Sequence, residues 1–328
     1  MSRLILAPME GLADDVLRGV LTQTQAYDWC VTEFIRIADT RLPQGAFTRV
    51  SPELKNGSRT QCGTLVRVQL LGSDPHMMAR NAAHLARLNP AGIDLNFGCP
   101  APLVNKHGGG AALLGEPELL EAITAAVRQA VPAAIPVTAK MRLGINDTEH
   151  TLDCARALEA GGAEELVVHA RTKTDGYRPP ARWEWIARIR EATALPLIAN
   201  GEVWTLSDYR DIRTVTGCED VMLGRGAVAD PLLASHIRQG AKDDERDWDA
   251  DWQVVCGLIA DFWQRVQLKL EARHAPGRFK QWLGLMRRTY PQAEALYQHV
   301  RAMRMADEVT RALPNHGISV APSAREAA

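Results

Sequence analysis

The stretch I-D-L-N-F-G-C-P at residues 93–100 decides how the rest of the chain is read. Ile93-Asp94-Leu95-Asn96 has the composition of a short buried parallel strand, apolar except for Asp94 and the closing asparagine. Gly98 turns the backbone, and Cys99-Pro100 opens a loop that runs to Gly108-Gly109-Gly110. A thiol at the carboxyl end of a strand, beside glycines that admit a ligand, is a candidate reactive group. The alternative is one more small buried hydrophobe, the usual fate of a free cysteine. The other strand ends have to decide between them.

Working outward, residues 4–224 alternate short β-like runs with helical patterns, eight of each. The runs are 4–8, 29–33, 65–70, 93–96, 137–141, 165–169, 197–200 and 220–223. Several are apolar without alternation, as strands buried on both faces must be. Asp74-Pro75 supplies an N-cap and an N1 proline, with Met78, Ala82 and Leu85 on one helical face. Eight such units predict an α/β fold, a (β/α)8 TIM barrel over residues 1–241. No G-x-G-x-x-G follows the first strand, which argues against an open dinucleotide-binding sheet. The run A-K-D-D-E-R-D-W-D-A-D-W that begins at Ala241 reads as a solvated connector. Residues 250–312 then show three apolar stripes at helical spacing, a small helical bundle, and 313–328 are expected to form a flexible tail.

Composition narrows the function. With 46% hydrophobic and 23% charged residues the chain is globular. No apolar run approaches the roughly 20 residues of a membrane span, and Met1–Met9 is too short for a secretory signal before Glu10 interrupts it. The six cysteines lie 32 or more residues apart without a C-x-x-C pair. That spacing excludes a zinc-ribbon or thioredoxin-like reading and predicts reduced thiols in the cytoplasm. The net charge of −1 conceals a basic segment: residues 265–304 carry nine Lys/Arg against two acids. A polyanionic partner is therefore compatible with the balanced total.

In a barrel the active site forms at the carboxyl ends of the strands. Those ends read Ala7-Pro8-Met9, Glu33, Gln69, Asn96 with Cys99, Lys140 with Arg142, His169 with Arg171, Asn200-Gly201-Glu202 and Gly224-Arg225-Gly226. One polar strand end is unremarkable, but polar groups on nearly all of them would be costly to bury without a purpose. The glycine-bearing ends after the last two strands fit phosphate, held by backbone N–H groups and by Arg225. Lys140 has two functional readings: a Schiff-base nucleophile, or a cation that stabilises negative charge on a ring cofactor.

Taken together, A-P-M-E-G at 7–11, V-Q-L at 68–70, N-F-G-C-P at 96–100, G-G-G-A-A-L-L at 108–114, K-M-R-L-G at 140–144, H-A-R-T at 169–172, A-N-G-E at 199–202 and G-R-G-A at 224–227 resemble the tRNA-dihydrouridine synthases. F-I-R-I at 34–37 and G-R-F-K-Q-W-L at 277–283 resemble the bacterial C branch, the tRNA-dihydrouridine(16) synthases. Phe97 and Ala170 depart from the family pattern. The resemblance implies bound FMN, NADPH as reductant, tRNA as substrate and no metal. It would place Pro8, Met9, Gln69 and Lys140 at the flavin ring, with Glu10 also binding the cofactor. His169, Asn200, Gly201, Glu202, Gly224 and Arg225 would lie at its ribityl and phosphate end. Cys99 would be the acid that protonates uracil C5, with Asn96 on the uracil edge and His107 as a rival acid. Arg36, Tyr177, Arg278, Lys280 and Arg301 would contact the tRNA.

Three other readings compete. A flavin enzyme acting on a free pyrimidine leaves the basic helices without a role. A Schiff-base aldolase rests on Lys140 alone. A non-catalytic RNA-binding barrel leaves Cys99 and the phosphate glycines idle.

Overall fold

The computed structural model describes residues 2–320. The chain divides into two compact units. The first comprises the opening residues to Asp15, Tyr27–Val203 and Asp208–Gly224; the second comprises Val16–Ala26, Trp204–Ser207 and the chain from Arg225 onward.

Eight strands make the core of the first unit: β1 (Leu4–Leu6), β2 (Trp29–Val31), β3 (Leu65–Leu71), β4 (Ile93–Phe97), β5 (Val137–Arg142), β6 (Leu166–His169), β7 (Leu197–Asn200) and β8 (Asp220–Leu223). Each pairs parallel with its neighbours, and β8 returns to β1, so the sheet closes into a TIM barrel. An added two-residue strand, Ile35–Arg36, extends the pairing at the end of β3. The expected runs coincide with these strands to within two residues at either end. Asp74 caps the helix Pro75–Ala86 by accepting from the Met77 amide at 2.6 Å, and Met78, Ala82 and Leu85 are fully buried beneath it.

Period-two alternation sorts the barrel interior into layers. Ile5, Ala7, Trp29, Val31, Val167, Ile198 and Met222 pack in its middle with Leu65. Toward the amino ends of the strands, Arg3 pairs with Asp220 at 2.6 Å and with Glu165. Arg67 also pairs with Glu165 and lies 4.0 Å from the Trp29 ring centroid. This charged plug closes one end, and the polar groups at the carboxyl ends of the strands line the other.

The second unit is held by the helices Trp248–Lys269, Ala275–Met286, Pro291–Val300 and Ala306–Ala312. Phe262 meets Trp282 edge-on at 4.6 Å, and Trp263 meets Phe279 at 5.0 Å. Such pairs contribute about 0.5–1.5 kcal/mol each beyond their buried area.

Two expectations need correction here. The acidic run is not simply a solvated connector. The Arg246 side chain within it is only 2% exposed, paired with Asp230 at 2.5 Å and Asp251 at 2.7 Å. Tyr290 donates to Asp230 at 2.7 Å, and His236 bonds Asp251 at 2.9 Å. The second correction concerns the tail. It does not begin at residue 313, because Leu313 and Ile318 are fully buried and Leu313–His316 form a 3-10 turn. Residues 321–328, also assigned to the tail, lie outside the described residues.

Removing one partner from a buried ion cluster leaves the remaining charges uncompensated, at a cost of about 3–5 kcal/mol. Arg246→Met should lower unfolding free energy by about that amount in urea. An exposed pair such as Lys242–Glu245 should cost less than about 1 kcal/mol when broken.

Candidate active site

The end of β4 builds the Cys99 loop. Asn96 Oδ1 accepts from the amides of Gly98 at 3.0 Å and Cys99 at 2.9 Å, which bends the chain out of the strand. Asn105 Nδ2 and the Ala111 amide both donate to the Cys99 carbonyl, at 2.9 and 3.0 Å. Gly110 sits at φ +61°, where an added Cβ would come within 2.8 Å of that carbonyl oxygen. The glycine run is thus needed for the loop to fold back on Cys99. The thiol is 7% exposed and packs with Leu71 and Val104, flanked by Phe34 and Ala101. Burial pushes its pKa up, so it holds its proton at neutral pH.

Beneath Asn96 lies a buried relay. Asp94, Gln69 and Thr138 are cross-strand neighbours in register. Gln69 Nε2 donates to Asp94 Oδ2 and Thr138 Oγ1 donates to Asp94 Oδ1, both at 2.6 Å, while Asn96 Nδ2 donates to Gln69 Oε1 at 2.7 Å. Gln69, expected at the flavin, has no exposed surface, and each end of its amide makes one of these bonds, to Asp94 and to Asn96.

Lys140, in register with Asn96, donates from Nζ to Asn200 Oδ1 at 3.0 Å. Asn200 Nδ2 is fixed in turn by the Met222 carbonyl at 2.8 Å. Burial brings the Lys140 pKa down to about 7, with Arg142 adding to the shift and Asp94 opposing it. Arg142 is itself buried. Its Nε donates to the Gly98 carbonyl at 2.9 Å, and Nη1 donates to the carbonyls of Thr172 and Gly176 at 3.0 and 2.9 Å. The guanidinium lies 5.2 Å from the Tyr177 ring centroid, so one side chain ties the Cys99 loop to the loop of the half-exposed Tyr177.

At the ends of β6 and β7, Arg171 Nη1 lies 3.2 Å from His169 Nε2, and Arg171 also forms an ion pair with Glu202. Gly201 is at φ +123°, and a Cβ there would lie 2.9 Å from His169 Cδ2, so only glycine lets the imidazole lie against this backbone. At Gly224 an added Cβ would meet nothing closer than Ala7 at 3.9 Å, which leaves room for a ligand. Pro8 and Met9 are half-buried after β1, and Glu10 and Arg36 are exposed.

The remaining expected residues belong to the second unit. Arg225 lies over the Trp204 ring at 5.1 Å, with Arg288 at 3.7 Å from the same centroid. Arg278 bonds Gln281 at 2.7 Å, and Arg301 is exposed. Lys280 donates to the carbonyls of Arg301 and Met303 at 3.2 and 2.9 Å, securing the end of the helix Pro291–Val300. Among the described residues no cluster of three metal-ligating side chains occurs, and no helix is long and apolar enough to cross a membrane.

Asp94, Thr138 and Asn105 were not singled out as site residues from sequence. Asp94 left one usable signal, a charge inside an otherwise apolar strand and two residues before Asn96, hence on the same face.

A family model described as "Dihydrouridine synthase (Dus)" matches residues 5–314. The chain belongs to the dihydrouridine synthase family. Relatives in this family include the tRNA-dihydrouridine(16) synthase of Ralstonia nicotianae, 54% identical over 310 residues that cover 94% of both chains. That of Cupriavidus necator is 54% identical over 323 residues, 98% of this chain and all of the relative. Among solved structures, histamine dehydrogenase from Rhizobium sp. 4-9 aligns with a TM-score of 0.54 at 15% identity. A 2-naphthoyl-CoA reductase aligns at 0.56 and 12%. These alignments cover 79% and 74% of this chain but only about half of either larger protein, and they reflect a shared barrel fold.

The lysine gives a pH test. Between about pH 7 and the ordinary lysine value of 10.5, the unfolded chain binds a proton at residue 140 that the folded chain does not. Stability contributed by this position therefore rises with pH across that window. Replacing it by Lys140→Met should flatten the rise, measured by denaturant unfolding of cofactor-free protein from pH 6.5 to 9.5 (roughly the range between the two pKa values).

Proposed function

We propose that this protein reduces a uridine in the D loop of tRNA, at position 16, to 5,6-dihydrouridine, with bound FMN and with NADPH as the source of electrons. The observation that carries the reading is the grouping of a protonated Cys99, Asn96 and Lys140 on adjoining strand ends in a chain matched by the family over residues 5–314. Position 16 rests on the relatives of that name and on Arg36, exposed beside the barrel strands.

The residues present fit a flavin. Lys140 would supply a cation for the ring, where negative charge collects on reduction. Its depressed pKa means that an anionic ligand would draw the proton back onto it. Gly201 and Gly224 leave room for the ribityl and phosphate end, with His169 against Gly201. Gln69 would act from beneath, through Asn96.

Once reduced by NADPH, a bound FMN would supply the hydride that uracil C6 receives. The C5=C6 electron pair then moves toward C4, and negative charge collects on O4 as an enolate. Cys99 gives its proton to C5, which restores the carbonyl and leaves a thiolate that is reprotonated from water. A thiol kept protonated by an apolar pocket suits an acid at neutral pH. Arg142 holds the carbonyl of Gly98 next to Cys99 and so sets where the loop lies. A D-loop uridine is already outside a regular helix, which lowers the cost of bringing it to the barrel mouth. The exposed Arg287, Arg288, Arg301 and Arg304 of the second unit would bind tRNA phosphates, a term that salt weakens.

Cys99→Ala separates the two half-reactions. It should keep the flavin absorbance and the rate of flavin reduction by NADPH, while reoxidation by tRNA slows by about 10²–10⁴. Stopped-flow absorbance measures each step. Reoxidation at the wild-type rate would move the acid elsewhere, with His107 next, and a colourless protein still active on tRNA would sink the flavin reading.

A further inference from the structure

Asp94 is a buried carboxylate to which the reaction above gives no part. It is 2% exposed, and each of its oxygens receives one donor, Gln69 Nε2 and Thr138 Oγ1. Gln69 thus turns its amino group down to Asp94 and its Oε1 up toward the barrel mouth, the orientation that an accepting Asp94 requires. Asn96 meets that oxygen with its own amino group at 2.7 Å. The other end of Asn96 is fixed independently, because its Oδ1 receives the Gly98 and Cys99 amides. Reversing either amide would set oxygen against oxygen or N–H against N–H at Gln69, which has no exposed surface.

Resting on the functional reading above, we propose that Asp94, acting through Gln69, holds Asn96 so that it offers only an N–H to the target base, which makes the site accept uracil and refuse cytosine. One N–H of Asn96 is spent on Gln69 and its oxygen is spent on the loop, so the second N–H is what the residue has to give. The Asn96 amide lies against the Cys99 backbone, and Cys99 serves C5. The ring substituent beside C5 is the one on C4, a carbonyl oxygen in uracil and an amino group in cytosine. An N–H at that place bonds the first and confronts the second with donor against donor. The same N–H faces the oxygen on which enolate charge collects, so it stabilises the reaction as well as the choice of base. Asp94 and Gln69 are positioning residues, whereas Asn96 touches the substrate.

The relay can be reversed as a unit, which supplies the test. Asn96→Asp alone places a carboxylate oxygen against Gln69 Oε1, and the turn that would relieve this sets Gln69 against Asp94. Adding Asp94→Asn allows the whole chain to run backwards, with the new amide donating to Gln69 and Gln69 donating to the new carboxylate at position 96. Three measurements follow on wild type, both single variants and the double variant, all full length. First, Asn96→Asp should lower the melting temperature, and Asp94→Asn should restore it in the double variant. Second, wild type should bind tRNA with cytidine at the target position about 10- to 100-fold more weakly than tRNA with uridine, the value of one unsatisfied polar group. Third, the double variant should lose that preference and should not recover uridine turnover.

Strictly additive melting shifts, or a uridine preference unchanged in the double variant, would overturn the proposal. If either single variant fails to fold, a folded double variant supports the relay and an unfolded one counts against it. The melting arm needs no tRNA, so its outcome is independent of whether wild type acts on tRNA at all.

Discussion

Closure of the parallel sheet is the constraint on which the site depends. Because all eight strands run the same way and β8 pairs back to β1, every strand end emerges at one rim. Register then decides which of these ends meet. Asn96 lies beside Lys140, and one pleat deeper Asp94 lies between Gln69 and Thr138. A slip of one residue on β4 would turn Asp94 and Asn96 away from the interior and present Ile93 and Leu95 in their place. The charged plug of Arg3, Arg67, Glu165 and Asp220 secures the opposite end, so burial and chemistry are separated along the barrel axis.

The rim is rich in cations, and the protein balances them unevenly. Arg171 is paired with Glu202 and Arg142 is held by backbone carbonyls, so both act as fixed struts. Lys140 bonds a neutral amide and lies near the guanidinium of Arg142, and burial draws its pKa down to about 7. It is therefore the cation most able to respond to an anionic ligand. Cys99 is treated oppositely, kept in an apolar pocket that favours the uncharged thiol.

Much of this was legible in the sequence, for identifiable reasons. Strands buried on both faces leave continuous apolar runs, and their polar ends mark the rim, so the barrel and the position of its rim follow from local composition. Arg246 was missed because its partners Asp230 and Tyr290 lie 16 and 44 residues away, and a window of charged residues does not reveal them. Lys280 looked like a free cation because the carbonyls it secures, those of Arg301 and Met303, come from a later turn. Gln69 was placed at the cofactor for its position at a strand end, and its bonds to Asp94 and Asn96 were not visible from sequence. In each case the partner lies far along the chain, where local composition does not reveal it.

The most direct test of the central claim, that this barrel rim reduces one uridine of tRNA, is dihydrouridine mapping. tRNA from cells lacking this protein would be compared, nucleotide by nucleotide, with tRNA from the same cells carrying it. The account predicts that dihydrouridine disappears at position 16 alone and returns with the intact chain. An unchanged dihydrouridine pattern would contradict it, and loss confined to another position would overturn the assignment to position 16 alone.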